Sequence, residues 1–176
     1  MRSHFPWLCQ GDIFREAPIV DVTYDGTSQM GASILSGPAV LLTHDCAMDK
    51  PNKDGSPRVD LLQFARLRSM GSLPEDKRST LRGMRQKLQP FEALFVGEVA
   101  DLGESFILLS DPYFLPASYF GLEFINYKDH PEADPEIADY VTPVLRDSRV
   151  ECLDEGQISL LRQKMAAFWA RVQADK

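Results

Sequence analysis

The sequence predicts an α+β domain in which a β-rich body carries an inserted helix and is followed by a second helix. Apolar segments of strand length recur up to residue 109, and an apolar pattern of helical period occupies residues 155–173. The chain has 176 residues, of which 44% are hydrophobic and 26% are charged, a composition typical of globular proteins. We therefore expect one domain over residues 1–176.

The first two strands are expected near the start of the chain. Residues 11–24 have strand character and lead into Asp25-Gly26, a dipeptide that favours a tight turn. Residues 38–43 begin as a continuous apolar run, which is typical of a strand buried on both faces. We expect a loop over residues 23–37 between these strands. Proline, glycine and asparagine predict another loop over residues 49–57.

A third strand is expected over residues 59–67, and the inserted helix over about residues 74–88. Pro74 and the acids after it suit the first turn of a helix, and Pro90 would end it. Three arginines at helical spacing form a stripe beside the apolar side of this helix. This basic stripe consists of Arg78, Arg82 and Arg85.

The second half of the chain is expected to begin with a hairpin of strands at 92–99 and 105–109. An aromatic run from Tyr113 to Tyr127, a loop over 128–135 and a strand within 140–153 follow.

The second helix is expected over about residues 155–173. Asp154 and Gln157 have the spacing of a capping box. Phe168 and Trp169 belong to the apolar stripe of this helix and are expected in the core or at a dimer interface.

Charge is unevenly distributed along a chain whose net charge is −7. Residues 58–87 hold eight basic and three acidic side chains, whereas residues 92–155 hold fifteen acidic and three basic ones. Two complementary solvated faces explain this pattern, and so does a basic surface for a phosphate backbone or an acidic partner. The sequence has no membrane span, no apolar signal segment and no disulfide framework, so we expect a cytoplasmic protein without a membrane partner.

Two segments, Gly11-Asp12-Ile13-Phe14 and Gly37-Pro38-Ala39-Val40-Leu41-Leu42-Thr43, resemble the PemK/MazF family of toxin-like proteins. There, a Gly-Asp-Ile/Val strand opens the domain and an Arg-Pro-Ala/Val-Leu-Val-Leu-Ser/Thr strand follows across a loop. The resemblance covers about the first 45 residues. It implies an SH3-like, strongly bent β-barrel over about residues 10–127, often a homodimer. It also implies cleavage of single-stranded RNA without a metal or cofactor, and an antitoxin partner.

The resemblance also implies site residues. Thr43 matches the catalytic Ser/Thr of the family, and Arg15 is the basic residue nearest to the other catalytic position. Gly37 stands where the family often has arginine, and residues 23–37 contain no basic side chain. This departure counts against nuclease activity, because cleavage requires a cation near the scissile phosphate. Variants of the barrel carry a Thr-X-Asp-Cys motif, as residues 43–46 do here.

The tetrad Thr43-His44-Asp45-Cys46 directly follows a buried strand, so we predict that it lines the functional site. In the barrel that the resemblance implies, the strand that carries Asp12 neighbours this one, which would place Asp12 near enough to orient His44. Three alternatives remain. A Cys46–His44 nucleophile pair needs the strand to break, and a zinc site needs further ligands such as Cys9 and His4. The simplest alternative is that Asp45 caps a turn, Cys46 fills a gap in the core and His44 is exposed.

These observations support three hypotheses about function. The first is a nucleic-acid-associated protein, either an endoribonuclease or a degenerate relative, that binds single-stranded RNA with the help of the basic stripe. The second is a non-catalytic module that binds a protein partner. The third is a thiol- or metal-dependent hydrolase centred on Cys46.

Overall fold

The computed structural model describes five parts of the chain, and every structural statement below refers to them. They are residues 8–24, 26, 30–48, 58–117 and 148–174.

Several sequence predictions concern residues outside these parts. They are the loops expected at 49–57 and 128–135, the aromatic run beyond residue 117, and the first part of the strand expected within 140–153.

The described residues form a six-stranded antiparallel sheet and a long helix that follows it, which confirms the α+β class. The strands lie in the order β4-β5-β3-β2-β1-β6. Their bounds are β1 (Asp12–Tyr24), β2 (Met30–Leu41), β3 (Leu61–Ser69), β4 (Ala93–Val99), β5 (Gly103–Pro116) and β6 (Arg149–Cys152). The helices are α1 (Asp45–Met48), α2 (Glu75–Gly83) and α3 (Glu155–Ala174).

The end of β2 is buried on both faces, as its continuous apolar run predicted. Ala39 and Leu41 belong to a hydrophobic cluster with Phe14 and Phe64. Val40 and Leu42 point into a second, larger cluster that includes core side chains of α3. Because β2 lies between β1 and β3, this strand joins the two halves of the core.

The loop predicted over residues 23–37 is largely strand, so that prediction was wrong. β1 extends to Tyr24 and pairs with β2 from Met30 onward. The described pairing of β2 with β3 covers only Ala39 to Leu41, and the outer parts of β1 and β2 therefore form a two-stranded ribbon. Ile34 and Leu35 are 77% and 48% exposed there. A ribbon with exposed side chains needs no in–out hydrophobic pattern, and this explains why the sequence did not predict it.

Helix α2 is shorter than the predicted 74–88. It ends at Gly83, and Met84 has left helical geometry with φ −104° and ψ 10°. Glycine in a helix costs about 1 kcal/mol relative to alanine, which favours this early end. Arg85 and Leu88 therefore lie beyond the helix. No side chain of α2 is buried.

Helix α3 confirms both the predicted bounds and the capping box. The backbone N–H of Gln157 donates to Oδ1 of Asp154, and the N–H of Asp154 donates to Oε1 of Gln157. Ile158 and Leu161 are buried in the larger cluster, and Phe168 packs partly against it. Trp169 is 41% exposed, so it is not a core residue, and its place at a dimer interface stays a prediction.

None of the described helices has the length and apolar character that crossing a membrane requires.

Candidate functional site

A groove of about 400 Å³ lies where the tetrad Thr43–Cys46 follows β2. Side chains from β3, β5, α3 and the segment before β1 complete its walls. We name it the Thr43 groove. Its lining consists of Gln10, Leu42, Thr43, His44, Leu61, Gln63, Phe114, Arg162 and Met165.

The chain leaves the sheet before the tetrad, so its four side chains do not alternate as they would in a strand. β2 ends at Leu41, and the single-turn helix α1 begins at Asp45. Oγ1 of Thr43 accepts a hydrogen bond from the backbone N–H of Gln63 (2.7 Å), which ties the tetrad to β3. The hydroxyl proton of Thr43 is not used in that bond and can be donated into the groove.

His44 is exposed, as one of the alternatives predicted. One of its ring nitrogens accepts a hydrogen bond within the tetrad. Its Nδ1 accepts a hydrogen bond from the backbone N–H of Cys46 (3.1 Å). A nitrogen that accepts cannot carry the proton of a neutral imidazole, so the proton is on Nε2. His44 therefore presents a hydrogen-bond donor to the groove.

Gln10, Asp45 and Arg162 form a hydrogen-bonded network at one wall of the groove. The two carboxylate oxygens of Asp45 accept from the backbone N–H of Gln10 (2.6 Å) and from a guanidinium nitrogen of Arg162 (2.9 Å). Nε of Arg162 donates to Oε1 of Gln10 (2.7 Å), whose amide nitrogen donates to the carbonyl of Leu42 (2.7 Å). Asp45 thus joins distant segments, which goes beyond capping a turn.

Arg162 is the groove residue that the sequence analysis missed. It lies on the polar side of α3, where charged side chains are normally solvated. No local signal distinguishes it from the other charged residues of that helix. Its distance of 152 positions from Gln10 explains why only the folded chain reveals it.

Asp12 does not line the groove, contrary to prediction. Its side chain is fully buried, and Oδ2 accepts from the backbone N–H of Cys9 (2.8 Å) and from Nη1 of Arg149 (3.0 Å). Burial raises the pKa of Asp12, and the nearby positive charge of Arg149 partly offsets that rise. Asp12 therefore has a structural role at the junction of β1 and β6.

Arg15 is also separate from the Thr43 groove. It lies in an irregular part of the β1–β2 pairing, between Phe14 and Ala17. Its guanidinium forms an exposed ion pair with Asp101 (2.6 Å) in the turn after β4. The catalytic pair Arg15–Thr43 implied by the resemblance is thus not assembled among the groove-lining residues.

Cys46 neither fills a gap in the core nor forms a pair with the His44 imidazole. Its thiol is exposed, and the contact with His44 is made by its backbone N–H. Cys9 is buried, and His4 lies outside the described residues. Where the structure describes the chain, no three His, Cys, Asp or Glu side chains are gathered as metal ligands, and the three cysteines form no disulfide.

The basic stripe lies on and after α2, and acids neutralise part of it. Arg78 pairs with Glu75, and Arg82 pairs with both Glu75 and Glu104. The hydrogen bond from Arg82 lowers the pKa of Glu104. The stripe shares no residue with the Thr43 groove.

Comparison with known proteins identifies no relative: no family model, no curated protein and no solved structure matches the chain. The PemK/MazF resemblance remains a prediction made from the two N-terminal motifs.

Proposed function

We propose that the chain binds single-stranded RNA in the Thr43 groove. The observation that carries this proposal is an exposed aromatic ring and a guanidinium in one groove. Phe114 is 54% exposed and Arg162 lines the same groove. Proteins bind single-stranded nucleic acids by stacking bases on aromatic rings and by contacting phosphates with cations.

The polar side chains of the groove suit an unpaired nucleotide. Thr43 and Nε2 of His44 offer donors to a phosphate or base oxygen, and Gln63 offers an amide that can both donate and accept. Arg162 can contact a phosphate with the guanidinium nitrogen that neither Gln10 nor Asp45 uses. Unpaired bases of RNA expose the edges that such groups recognise.

The same geometry favours binding over cleavage. A general base for RNA cleavage would have to accept the proton of a 2′-hydroxyl. Nδ1 of His44 is already an acceptor from Cys46, and Nε2 carries the proton. We therefore infer a degenerate relative of the PemK/MazF-type nucleases, which retains the RNA groove without the catalytic pair.

We further infer that the protein is cytoplasmic. We also infer that the sheet curves into an SH3-like barrel of the PemK/MazF type. Irregularities in four of the described strand pairs support the curvature. They lie between Phe14 and Ala17, between Ile13 and Phe14 where β1 pairs with β6, between Ala65 and Leu67, and between Phe95 and Gly97. Bulges of this kind bend strands and increase their twist.

Fluorescence anisotropy with a short labelled single-stranded RNA tests the proposal. Phe114→Ala should weaken binding by roughly 5- to 150-fold, the range for loss of one stacked base. Tyr24→Ala is the matched control, because Tyr24 is an exposed ring (66%) on the ribbon. It should leave the affinity unchanged, and double-stranded RNA should bind more weakly than the single strand.

Two outcomes would overturn the proposal. Failure of the parent protein to bind single-stranded RNA would refute the function itself. Equal losses for Phe114→Ala and Tyr24→Ala would show that the groove is not the binding surface. Cleavage of the RNA by the parent, abolished in Thr43→Ala, would replace the degenerate-relative interpretation with an endoribonuclease.

A second candidate function is self-association through the exposed ribbon of β1 and β2. Ile34 and Leu35 present aliphatic side chains to solvent there, and an outlying ribbon with apolar side chains is a surface suited to strand pairing with a second copy. Sedimentation should then show a dimer that Ile34→Asp dissociates and that Ser79→Asp, on exposed α2, leaves intact. A monomeric parent would exclude this function.

A further inference from the structure

A second cavity lies between α2 and the sheet. It has a volume of about 940 Å³, which is in the range of pockets that enclose small ligands. Leu73 and Leu81 line its apolar part together with Phe106 and Leu108 of β5, and these side chains pack in one hydrophobic cluster. We name it the α2 cavity. It shares no residue with the Thr43 groove.

The rim of the α2 cavity is basic although the chain as a whole is acidic. Arg68, Lys77 and Arg171 line it together with a single carboxylate, Glu92, in a chain of net charge −7. A guanidinium nitrogen of Arg68 pairs with Asp111 (2.7 Å), while its buried Nε has no hydrogen-bond partner in the described residues. The cavity thus combines apolar walls with cationic groups that can bind an anion.

One wall of the cavity is held in place by a buried lysine. Lys164 of α3 is 1% exposed, and its Nζ donates to the carbonyl oxygens of Leu88 (2.8 Å) and Pro90 (2.6 Å). These carbonyls belong to the segment between α2 and β4, which supplies Pro90 and Phe91 to the lining. The segment is therefore fixed to α3 without a ligand, so the cavity is largely formed in advance.

We propose that the α2 cavity binds a small amphipathic carboxylate, with its apolar body against the cluster of Leu81 and Phe106 and its carboxylate at Lys77, Arg68 and Arg171. Apolar walls stabilise the body by removing it from water. The cationic rim favours a negatively charged head group over a neutral or a positively charged one. This site is independent of the proposed RNA function.

Displacement of a fluorescent anilinonaphthalene probe by three compounds that share a ten-carbon chain tests the ligand class. Decanoate should displace the probe at concentrations below its critical micelle concentration. Decanol, which has the same chain and no charge, should bind at least about fivefold more weakly, because it lacks the ionic contact. Decyltrimethylammonium, of opposite charge, should bind more weakly still.

Two pairs of variants locate the site. Lys77→Glu should weaken decanoate binding by roughly fivefold, while Lys87→Glu, the same change at an exposed lysine outside the cavity, should have less than about half that effect. Leu81→Glu should abolish binding, because it places a carboxylate in the apolar wall, and Ser79→Glu should not. All four variants should fold, because α2 has no buried side chain and Lys87 is exposed.

The proposal is wrong if decanoate does not displace the probe, or if decanol binds as tightly as decanoate. Equal effects of Lys77→Glu and Lys87→Glu would show that net charge, and not this rim, governs binding. Retained binding in Leu81→Glu would show that the ligand is bound elsewhere.

Discussion

A guanidinium nitrogen of Arg149 lies 3.0 Å from Oδ2 of Asp12, and both side chains are shielded from solvent. The pair joins the start of β1 to β6, where Asp12 and Cys152 are register partners. Water does not screen this attraction, and each charge would be costly to bury alone. Together with the β1–β6 backbone pairing, the pair therefore helps to hold β6, and with it the start of α3, on the sheet.

Asp12→Asn should destabilise the protein by about 3–5 kcal/mol, because it removes the negative charge that faces Arg149 in a pair shielded from solvent. Urea unfolding measures the change. Asp101→Asn, which breaks the exposed pair with Arg15, is the control and should cost less than about 1 kcal/mol. Similar costs for the two variants would contradict the structural role of the buried pair.

Gly11→Ala should cost about 2–4 kcal/mol, the sum of backbone strain and overpacking. Gly11 has φ +93°, and a Cβ there would lie 3.0 Å from Cβ of Leu153 and 3.2 Å from Cγ1 of Ile158. Gly83→Ala is the control, since a Cβ at the end of α2 meets no atom within 4 Å. It should be neutral or stabilising by up to about 1 kcal/mol. Thermal unfolding measures the change. An unchanged melting temperature in Gly11→Ala would show that Leu153 and Ile158 are not packed tightly against Gly11.

Lys164→Met should destabilise the protein by about 1–3 kcal/mol, because two carbonyl oxygens lose their donor. Burial lowers the pKa of Lys164 from its ordinary value of 10.5. Between the lowered pKa and 10.5 the unfolded chain binds more protons than the folded one, so the lysine makes the free energy of unfolding rise with pH. The stability difference between parent and variant should therefore grow through that alkaline range.

Urea unfolding at several pH values up to about pH 10 measures this difference. A difference that shrinks as the pH rises would contradict a buried Lys164. Lys87→Met is the control, because Lys87 is exposed.

Arg162→Gln should reduce the salt dependence of RNA binding. Loss of one phosphate contact lowers the slope of log K against log salt by about 0.7 for a single strand. Arg15→Gln removes an equally exposed arginine, 43% against 41%, outside the groove, and should leave the slope unchanged. Arg162→Lys, which keeps the charge, should restore most of the slope. An unchanged slope in Arg162→Gln would exclude Arg162 from contact with phosphate.

Features determined by neighbouring residues could be predicted from the sequence. Asp154 and Gln157 lie three positions apart, and their reciprocal bonds form as the motif predicts. The run Ala39–Leu42 is apolar at every position, so burial on both faces followed directly. The β4–β5 hairpin was also predicted from neighbouring residues, because its two strands are joined by a short turn.

Features that depend on distant residues could not be predicted. Asp12 was predicted near His44 from the expected pairing of its strand, whereas its partner Arg149 lies 137 positions away and both side chains are buried. Arg162 was not predicted, because its partners Gln10 and Asp45 are 152 and 117 positions away. The tetrad was predicted to line the site, and the groove includes Thr43 and His44 but takes its cation from α3.

Helix α3 contributes to every surface for which a ligand is proposed. Arg162 completes the Thr43 groove, Arg171 lines the α2 cavity, and Lys164 holds the wall of that cavity. During synthesis the preceding strands leave the ribosome before residues 155–174. Until this helix docks on the sheet, the Thr43 groove lacks the guanidinium of Arg162 and the α2 cavity lacks the one of Arg171, so both surfaces are completed by the same late docking step.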